Sequence, residues 1–508
     1  MALNIGEFLK NSARRWPDRI AAATRAGTLS FSQLDRKAAA LALKLRTAGI
    51  EDHAHVMFVL PNSLEWLVCY QGILQAGAVP VPLNPRLASP EIAAMAADCR
   101  PSLMIAAADH YDALNSQCAS QGIRIVAQEE LALLDSDAEP FGLPPRRAED
   151  TALVLYSSGS TGLPKGVELS HEAICWNAQV FAYDLLDLRP GDRGYSALPL
   201  SHVFGHTCFM SASLFAGASI WLEEKFDARQ CLAEIARQGI SYFMGVPTMF
   251  WAMARAESPE GADYSRWRAC VSGGQALPVD VHRYFEDRFD VMISEGYGMT
   301  EAAPSIVGWR LTADGRREGS AGQPYFGVNL RIVDDSGLDV PTGEIGEILI
   351  QSPGVARGYL NKPELTASTF RDGWLYSGDY GRLDEDSFLY IVGRKKEMIV
   401  SGGYNIYPRE VEEVFYQLPD VLEASVVAAA HERLGEMPVA FVVPAEGRQI
   451  SREALLDHCT ASLARYKVPR EIYFLKQLPR NATGKVDRLA LGRLAKQHRE
   501  DLNEHRAI

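Results

Sequence analysis

Short apolar runs of Val, Ile, Leu and Phe alternate along this chain with longer helical patterns, and no other feature constrains the fold as much. In SLEWLVCYQGILQAGAVPVPL an apolar helix stops at Gly77 and a strand follows. The same strand-then-helix rhythm returns in ISYFMGVPTMFWAMARA, WRACVSGGQALPVDVHRYFEDRF and VMISEGYGMTE. Repetition of this unit predicts α/β layers with mainly parallel sheets. At 508 residues the chain is too long for one core, so two or more domains are expected.

The pattern changes from Leu330. LRIVDDSGLDVPTGEIGEILIQSPG holds two strand-like runs around a Gly, Pro and Asp cluster, which predicts a small antiparallel or barrel-like subdomain. Beyond FLYIVGRKKEMIV the order is helix, strand, strand, helix, strand, a compact α+β unit of normal domain size. The expected division is a large N-terminal domain, 1–394, and a small C-terminal domain, 395–508, with the boundary near Arg394 to Lys396.

Composition removes several classes of function. With 51 Lys and Arg against 64 Asp and Glu the net charge is −13, and no basic tract could follow a phosphate backbone, so nucleic acid is not expected as a partner. The longest apolar stretches, such as SASLFAGASIWL, are too short to span a bilayer and read as buried core. Eight scattered cysteines without a C-x-x-C, and an N-terminus without an apolar leader, suggest a reducing cytoplasm.

Four segments and one histidine pair carry candidate chemistry. In YSSGSTGLPKGVELSH a strand-like run feeds a loop of Ser157, Ser158, Gly159, Ser160, Thr161 and Gly162, followed by Lys165 and Gly166. Closely approachable N–H groups, hydroxyls and one ammonium suit a polyphosphate, although Pro164 and Gly166 break the Walker spacing. In SEGYGMTE, Tyr297 offers a ring for stacking a base, Thr300 a hydroxyl for a phosphate and Glu301 a hard oxygen for Mg²⁺; an ordinary glycine turn with a capping Thr and Glu explains the same residues. Asp379, in YSGDYG, stands at a strand end where an acidic residue can take ribose hydroxyls with support from Arg394, or is a plain turn aspartate. Lys485, in LPRNATGKVDR, reads by itself as a solvated surface charge. His202 and His206 are spaced i, i+4, but Val203 replaces the glutamate a zincin requires, so a buried or pocket-lining role is expected.

Taken together and in order, GILQAGAVPVPLNPRLASPEI, the phosphate loop, LPLSHVFG, GVPTMF, SGGQAL, GYGMTE, YSGD, GRKKEMIVSGGYNIYPREVEE and LPRNATGKVDR make the chain resemble adenylate-forming acyl-CoA synthetases, relatives of peptide-synthetase adenylation domains and beetle luciferases. The resemblance covers essentially the whole chain. It implies that the loop with Lys165 holds the β- and γ-phosphates of ATP, that Gly273 and Gly274 with Tyr297 and Gly298 frame the adenine, and that Thr300 contacts the α-phosphate. It also implies Mg²⁺ on Glu301 and Thr161, and ribose on Asp379 and Arg394. Lys485 becomes the catalytic lysine of adenylation, since a positioned ammonium offsets the charge that builds as one anion attacks another. A mobile C-terminal domain, hinged at Lys396, would then exchange Lys485 for Gly402 and Gly403, which border the pantetheine path of CoA.

The implied acid pocket contains Val203, Phe204, Gly205, Gly245, Val246, Gly298, Met299 and Ala302, with His202 near the acyl end. This largely apolar set suits an alkyl or aryl carboxylate. SHVFGH lacks the aspartate expected of an amino-acid adenylation domain. Ser201, Ser377 and Gln275–Ala276 depart from the usual family residues, and Ser201 bears on the shape of the acyl or nucleotide gate. No long insertion separates GYGMTE from GEIGEI, which favours CoA over an acyl carrier protein as acceptor. The expected enzyme is therefore an ATP-, Mg²⁺- and CoA-dependent acid ligase, monomeric or homodimeric, with carrier loading and luciferase-like oxygenation as the alternatives.

Overall fold

The computed structural model describes residues 3–506 except 120, 158–163, 276, 446, 449 and 481–484. The chain forms two compact units. The first comprises Met1–Leu330, Ile350–Tyr376 and Ser387–Leu389, and the second Arg331–Leu349, Ser377–Asp386 and Tyr390–Ile508. The expected cut at 394/395 falls inside the second unit.

In the first unit, four parallel strands lie in the order Val79–Leu83, His55–Val59, Leu103–Ala106, Ile125–Ala127. The helix Leu64–Ala76 beside them is apolar all round and accordingly buried along nearly its whole length. Ser63 caps its start by accepting the Trp66 N–H at 3.1 Å. Gly77 ends it at φ +90°, where the neighbouring Asp52 and Arg146 side chains leave no room for a Cβ.

A second sheet carries nine strands among the described residues, in the order Gln323–Pro324, Ser305–Gly308, Met292–Gly298, Ala269–Ser272, Tyr242–Gly245, Arg193–Ser196, Ser219–Leu222, Ile20–Ala23, Thr28–Ser30. Its centre is parallel and its edges antiparallel. Phe243, Phe250, Trp267, Phe285 and Phe289 interlock against it, with Phe285 and Phe289 centroids 4.8 Å apart; each buried ring contributes about 1.5–3 kcal/mol relative to exposure. VMISEGYGMTE departs from the expected strand–helix unit. After Met292–Gly298 the chain makes a short turn and returns as the antiparallel strand Ser305–Gly308.

Thr151–Ser157 and Lys165–Ser170 form an antiparallel hairpin with Gly358–Tyr359 on its edge. The candidate phosphate loop is thus a connection between two strands. In a Walker loop a helix N-terminus follows the glycines, and here a strand does.

The strands Asn329–Val333, Gly346–Gln351, Trp374–Leu383 and Leu389–Arg394, most of whose residues belong to the second unit, contribute to the expected small sheet. The C-terminal part holds Tyr404–Ile406, Ile399–Ser401, Gly435–Pro444 and Val421–His431, with Glu471–Phe474 parallel to Gly435–Pro444. The two-residue period of these strands gives the sheet two apolar faces. Val426, Ala440 and Val442 pack with Phe415, Leu455 and Cys459, whereas Val427, Val439 and Phe441 pack with Leu491 and Ala495. The last two belong to the helix Arg488–Arg506, which the sequence reading did not anticipate. All eight cysteines are buried and unpaired, and burial pushes every thiol above its ordinary value.

Candidate active site

Parallel register brings the strand ends of the nine-stranded sheet to one edge. Gly245 lies opposite Ser272, and Ser272 opposite Glu295. Ligands of open α/β sheets bind beyond such carboxyl ends. Gly273, directly after Ser272, donates its N–H to the Gly245 carbonyl at 3.2 Å, and a Cβ on it would lie 3.1 Å from the Phe204 ring. Gly274 needs φ +86° for the turn. Three residues expected from separate motifs, Phe204, Gly245 and Gly273, therefore meet at this edge.

Phe204–Ser211 is a π-helical segment, a conformation concentrated at functional sites. Val203, Phe204 and Gly205 are buried there, and a Cβ at Gly205 would lie 2.5 Å from the Pro199 carbonyl oxygen. His202 precedes the segment and is half-buried. Its Nδ1 accepts the Phe204 N–H at 3.3 Å, so the neutral ring carries its proton on Nε2. His206 belongs to the core: it packs on the Tyr70 ring at 4.8 Å, and burial lowers its pKa to about 3. Val246 follows the strand end at Gly245 and occupies the position just before the helix Pro247–Arg255.

Tyr297 and Gly298 close the strand Met292–Gly298, and Thr300, Glu301 and Ala302 form the next turn. Any Cβ at Gly298 would collide with the Pro304 carbonyl, to which the Met299 N–H donates at 2.9 Å. Buried Asn177 donates to the Ala302 and Ser305 carbonyls, both at 3.4 Å, on either side of this turn. Glu295 ties the strand to the glycine turn by accepting the Leu277 N–H at 2.9 Å and facing His282 Nδ1 at 3.3 Å. Burial alone would lower the His282 pKa, but its bonds to Glu286 and Glu295 raise it.

On the phosphate side, Ser158, Gly159, Ser160, Thr161 and Gly162 lie outside the described residues, whereas Ser157 and Lys165 end the two hairpin strands opposite each other. Lys165 Nζ stands 5.1 Å over the Tyr359 ring, and the Tyr359 hydroxyl donates to Glu301 Oε1 at 2.9 Å. Tyr359, absent from the sequence reading, thus links the loop lysine to the candidate Mg²⁺ carboxylate. Burial, and then the charge of Glu301, push the Tyr359 pKa far up and keep the hydroxyl a donor. Glu301 is a half-buried hard-oxygen donor oriented by that bond. One carboxylate of this kind fits Mg²⁺, which completes its shell with phosphate and water rather than with a protein cage. Tyr359→Phe should weaken Mg²⁺-ATP binding roughly tenfold, the effect of losing an outer partner of a metal ligand, measured by calorimetric titration.

The second unit groups the remaining candidates. The Ser377 hydroxyl donates to the Ile348 carbonyl at 2.7 Å and accepts the Asp379 N–H at 3.0 Å, so the serine in place of the usual threonine still holds the aspartate. Asp379 Oδ1 lies 3.7 Å from Arg394 Nε. Glu347 braces both ends of this pair, accepting the Gly378 N–H at 3.3 Å and Lys395 Nζ at 3.1 Å. Lys485 feels both charges: burial lowers its pKa, Arg394 lowers it further, and Asp379 opposes them. Lys396 sits in the turn Lys395–Glu397.

Gly402 and Gly403 connect the strands Ile399–Ser401 and Tyr404–Ile406 with φ of +59° and +86°. Positive φ at both centres is the demand of a tight two-residue hairpin turn. A branched side chain at 403 would strain the turn by about 1–2 kcal/mol, whereas asparagine tolerates positive φ, and a Cβ there meets nothing within 4 Å.

The AMP-binding enzyme profile matches residues 9–360, and that of the AMP-binding enzyme C-terminal domain matches residues 410–485. The chain belongs to the AMP-binding enzymes. Among its relatives in this family, feruloyl-CoA synthase of Amycolatopsis sp is 36% identical over 482 residues, covering 95% of this chain and 97% of the relative. Indoleacetate–CoA ligase of Aromatoleum aromaticum is 36% identical over 497 residues, covering 95% and 96%. The structure of o-succinylbenzoate CoA synthetase from Bacillus subtilis with ATP and magnesium ion superposes with a TM-score of 0.83 at 28% identity, covering 95% of this chain and 98% of that one. Family membership gives the chain its ligand class, the adenine nucleotide.

Proposed function

We propose that this protein is an ATP-dependent acid–CoA ligase whose substrate is an aryl or fatty carboxylate, with aryl acids favoured. The observation that carries the reading is the chain from Lys165 through Tyr359 to Glu301, which joins a phosphate-binding cation to a Mg²⁺ carboxylate. Full-length similarity to feruloyl-CoA and indoleacetate–CoA ligases supports the aryl preference and CoA as the acceptor. Phe204 packed on Gly273 and the apolar Val203, Met299 and Ala302 are consistent with it.

In the first half-reaction a carboxylate oxygen attacks the α-phosphorus of ATP, the bond to the β-phosphate oxygen breaks, and pyrophosphate leaves. Lys165 holds the departing phosphates, Thr300 the α-phosphate, Tyr297 the adenine, and Asp379 with Arg394 the ribose. Glu301, with Thr161 as a second oxygen, would hold Mg²⁺, which would offset phosphate charge. Lys485 supplies the ammonium that lets one anion approach another. In the second half-reaction the CoA thiol attacks the acyl carbonyl and AMP departs, with His202 at the acyl end.

The domain reading is 1–394 and 395–508 with Lys396 as hinge. The half-reactions draw on different residues of the smaller domain, Lys485 for the first and the Gly402–Gly403 turn for the second. Gly403→Asn should spare pyrophosphate release and suppress thioester formation; loss of pyrophosphate release instead would make the turn purely structural. Eight unpaired buried cysteines support a cytoplasmic location, and no helix among the described residues is long and apolar enough to cross a membrane.

Pyrophosphate release against short, medium, long-chain and aryl carboxylates, with and without CoA, tests the assignment. Release with formation of an aryl-CoA is expected. Pyrophosphate and bound acyl-AMP without CoA consumption would transfer the reading to a carrier-protein acceptor, and silence across the panel would sink it.

A further inference from the structure

Asp98 lies in the last turn of the helix Ser89–Cys99, a stretch whose sequence reads as an ordinary helix. Its side chain is only 22% exposed and joins segments far apart in the chain. Oδ2 accepts the Tyr156 hydroxyl at 2.9 Å, Oδ1 accepts Lys362 Nζ at 2.7 Å, and the backbone carbonyl accepts Asn361 Nδ2 at 2.7 Å. The Tyr156 hydroxyl also lies 3.1 Å from the Met95 carbonyl.

Both partners border the candidate phosphate site. Tyr156 pairs with Gly166, the neighbour of Lys165, and a Cβ at Gly166 would lie 3.3 Å from both the Tyr156 ring and Leu360. The Leu360 N–H donates to the Gly166 carbonyl at 2.8 Å. Leu360, Asn361 and Lys362 follow directly on Tyr359.

We propose that Asp98 is a positioning residue for the triphosphate. By clamping Tyr156 to Asn361–Lys362 it fixes the hairpin and Tyr359 at the spacing where Tyr359 reaches Lys165 and Glu301 together. This inference rests on the ligase reading. A charge-assisted contact to Lys362 and a short phenol–carboxylate bond make the clamp stiff, and displacements of about 1 Å at a phosphate site cost rate even when they arise far from the reacting atoms. Only the adenylation half-reaction uses the β- and γ-phosphates, so loss of the clamp is felt there alone.

The test compares wild type, Asp98→Ala, Asp98→Asn and Lys362→Met in three measurements: calorimetric binding of Mg²⁺-ATP without acid, acid-dependent pyrophosphate release, and thioester formation from synthetic acyl-AMP and CoA. Asp98→Ala should weaken Mg²⁺-ATP binding and raise its KM roughly tenfold, while thioester formation stays within about twofold of wild type. Asparagine keeps an acceptor for Lys362 and donates to the Tyr156 oxygen, so Asp98→Asn should recover to within about threefold. Equal loss in both half-reactions, or an unchanged Kd for Mg²⁺-ATP, overturns the proposal. If Asp98→Ala does not fold, an unchanged Kd in Lys362→Met overturns it equally. Weakened ATP binding in a protein that releases no pyrophosphate with any acid would leave the clamp standing and remove the ligase reading.

Discussion

Lys485→Ala should lower acyl-adenylate formation from acid and ATP by roughly 10³-fold, the loss expected when a preorganised charge is removed from a transition state. Thioester formation from synthetic acyl-AMP should persist, because no second anion has to be approached once pyrophosphate has left. Equal loss of both halves would assign the lysine a structural role. The pH profile offers a second check. Burial and Arg394 hold the Lys485 pKa below the usual lysine value. Its ammonium is present below that pKa and lost as pH rises through it, so adenylation should fall on the alkaline side earlier than an ordinary lysine would permit. The thioester half-reaction should lack this limb, which pyrophosphate exchange and thioester assays across the alkaline range would separate.

Glu301→Gln should cost about 10²-fold in kcat/KM for Mg²⁺-ATP, with partial recovery at high Mg²⁺. The substitution keeps an oxygen for the Tyr359 hydroxyl and removes the charge. Its signature is a shifted Mg²⁺ titration with thioester formation from acyl-AMP preserved. Loss that no Mg²⁺ concentration relieves would mean that Glu301 holds the turn Thr300–Ala302 rather than the metal.

Strand–helix alternation identified the parallel core, and in the second unit the helices and strands between Pro408 and Phe474 were legible from their periods, whereas the helix Arg488–Arg506 was not. The return strand Ser305–Gly308 was not legible, because the close approach of Gly298 to Pro304 is a tertiary contact that GYGMTE shares with many glycine turns. The same limit applies to the site. Lys165 stands in a loop whose local composition points to chemistry, and Glu301 and Asp379 in motifs that gain that meaning from the family resemblance. Tyr359 and Asp98 stand in a strand and a helix where tyrosine and aspartate are ordinary, and their meaning arises only when hairpin and turn come within hydrogen-bond reach. Gly402 and Gly403 show the converse: a motif read for function also has a plain conformational reason.

The burial of all eight cysteines has a consequence for an enzyme of this kind. An acyl-adenylate is a potent acylating agent, and any thiolate on the protein surface would compete with CoA for it or capture the acyl group from the finished thioester. Here each sulfur is held inside the fold as the neutral thiol. The protein's own sulfur atoms are in this way kept from its intermediate, and the incoming cosubstrate is left as the sulfur nucleophile that the activated acid can meet.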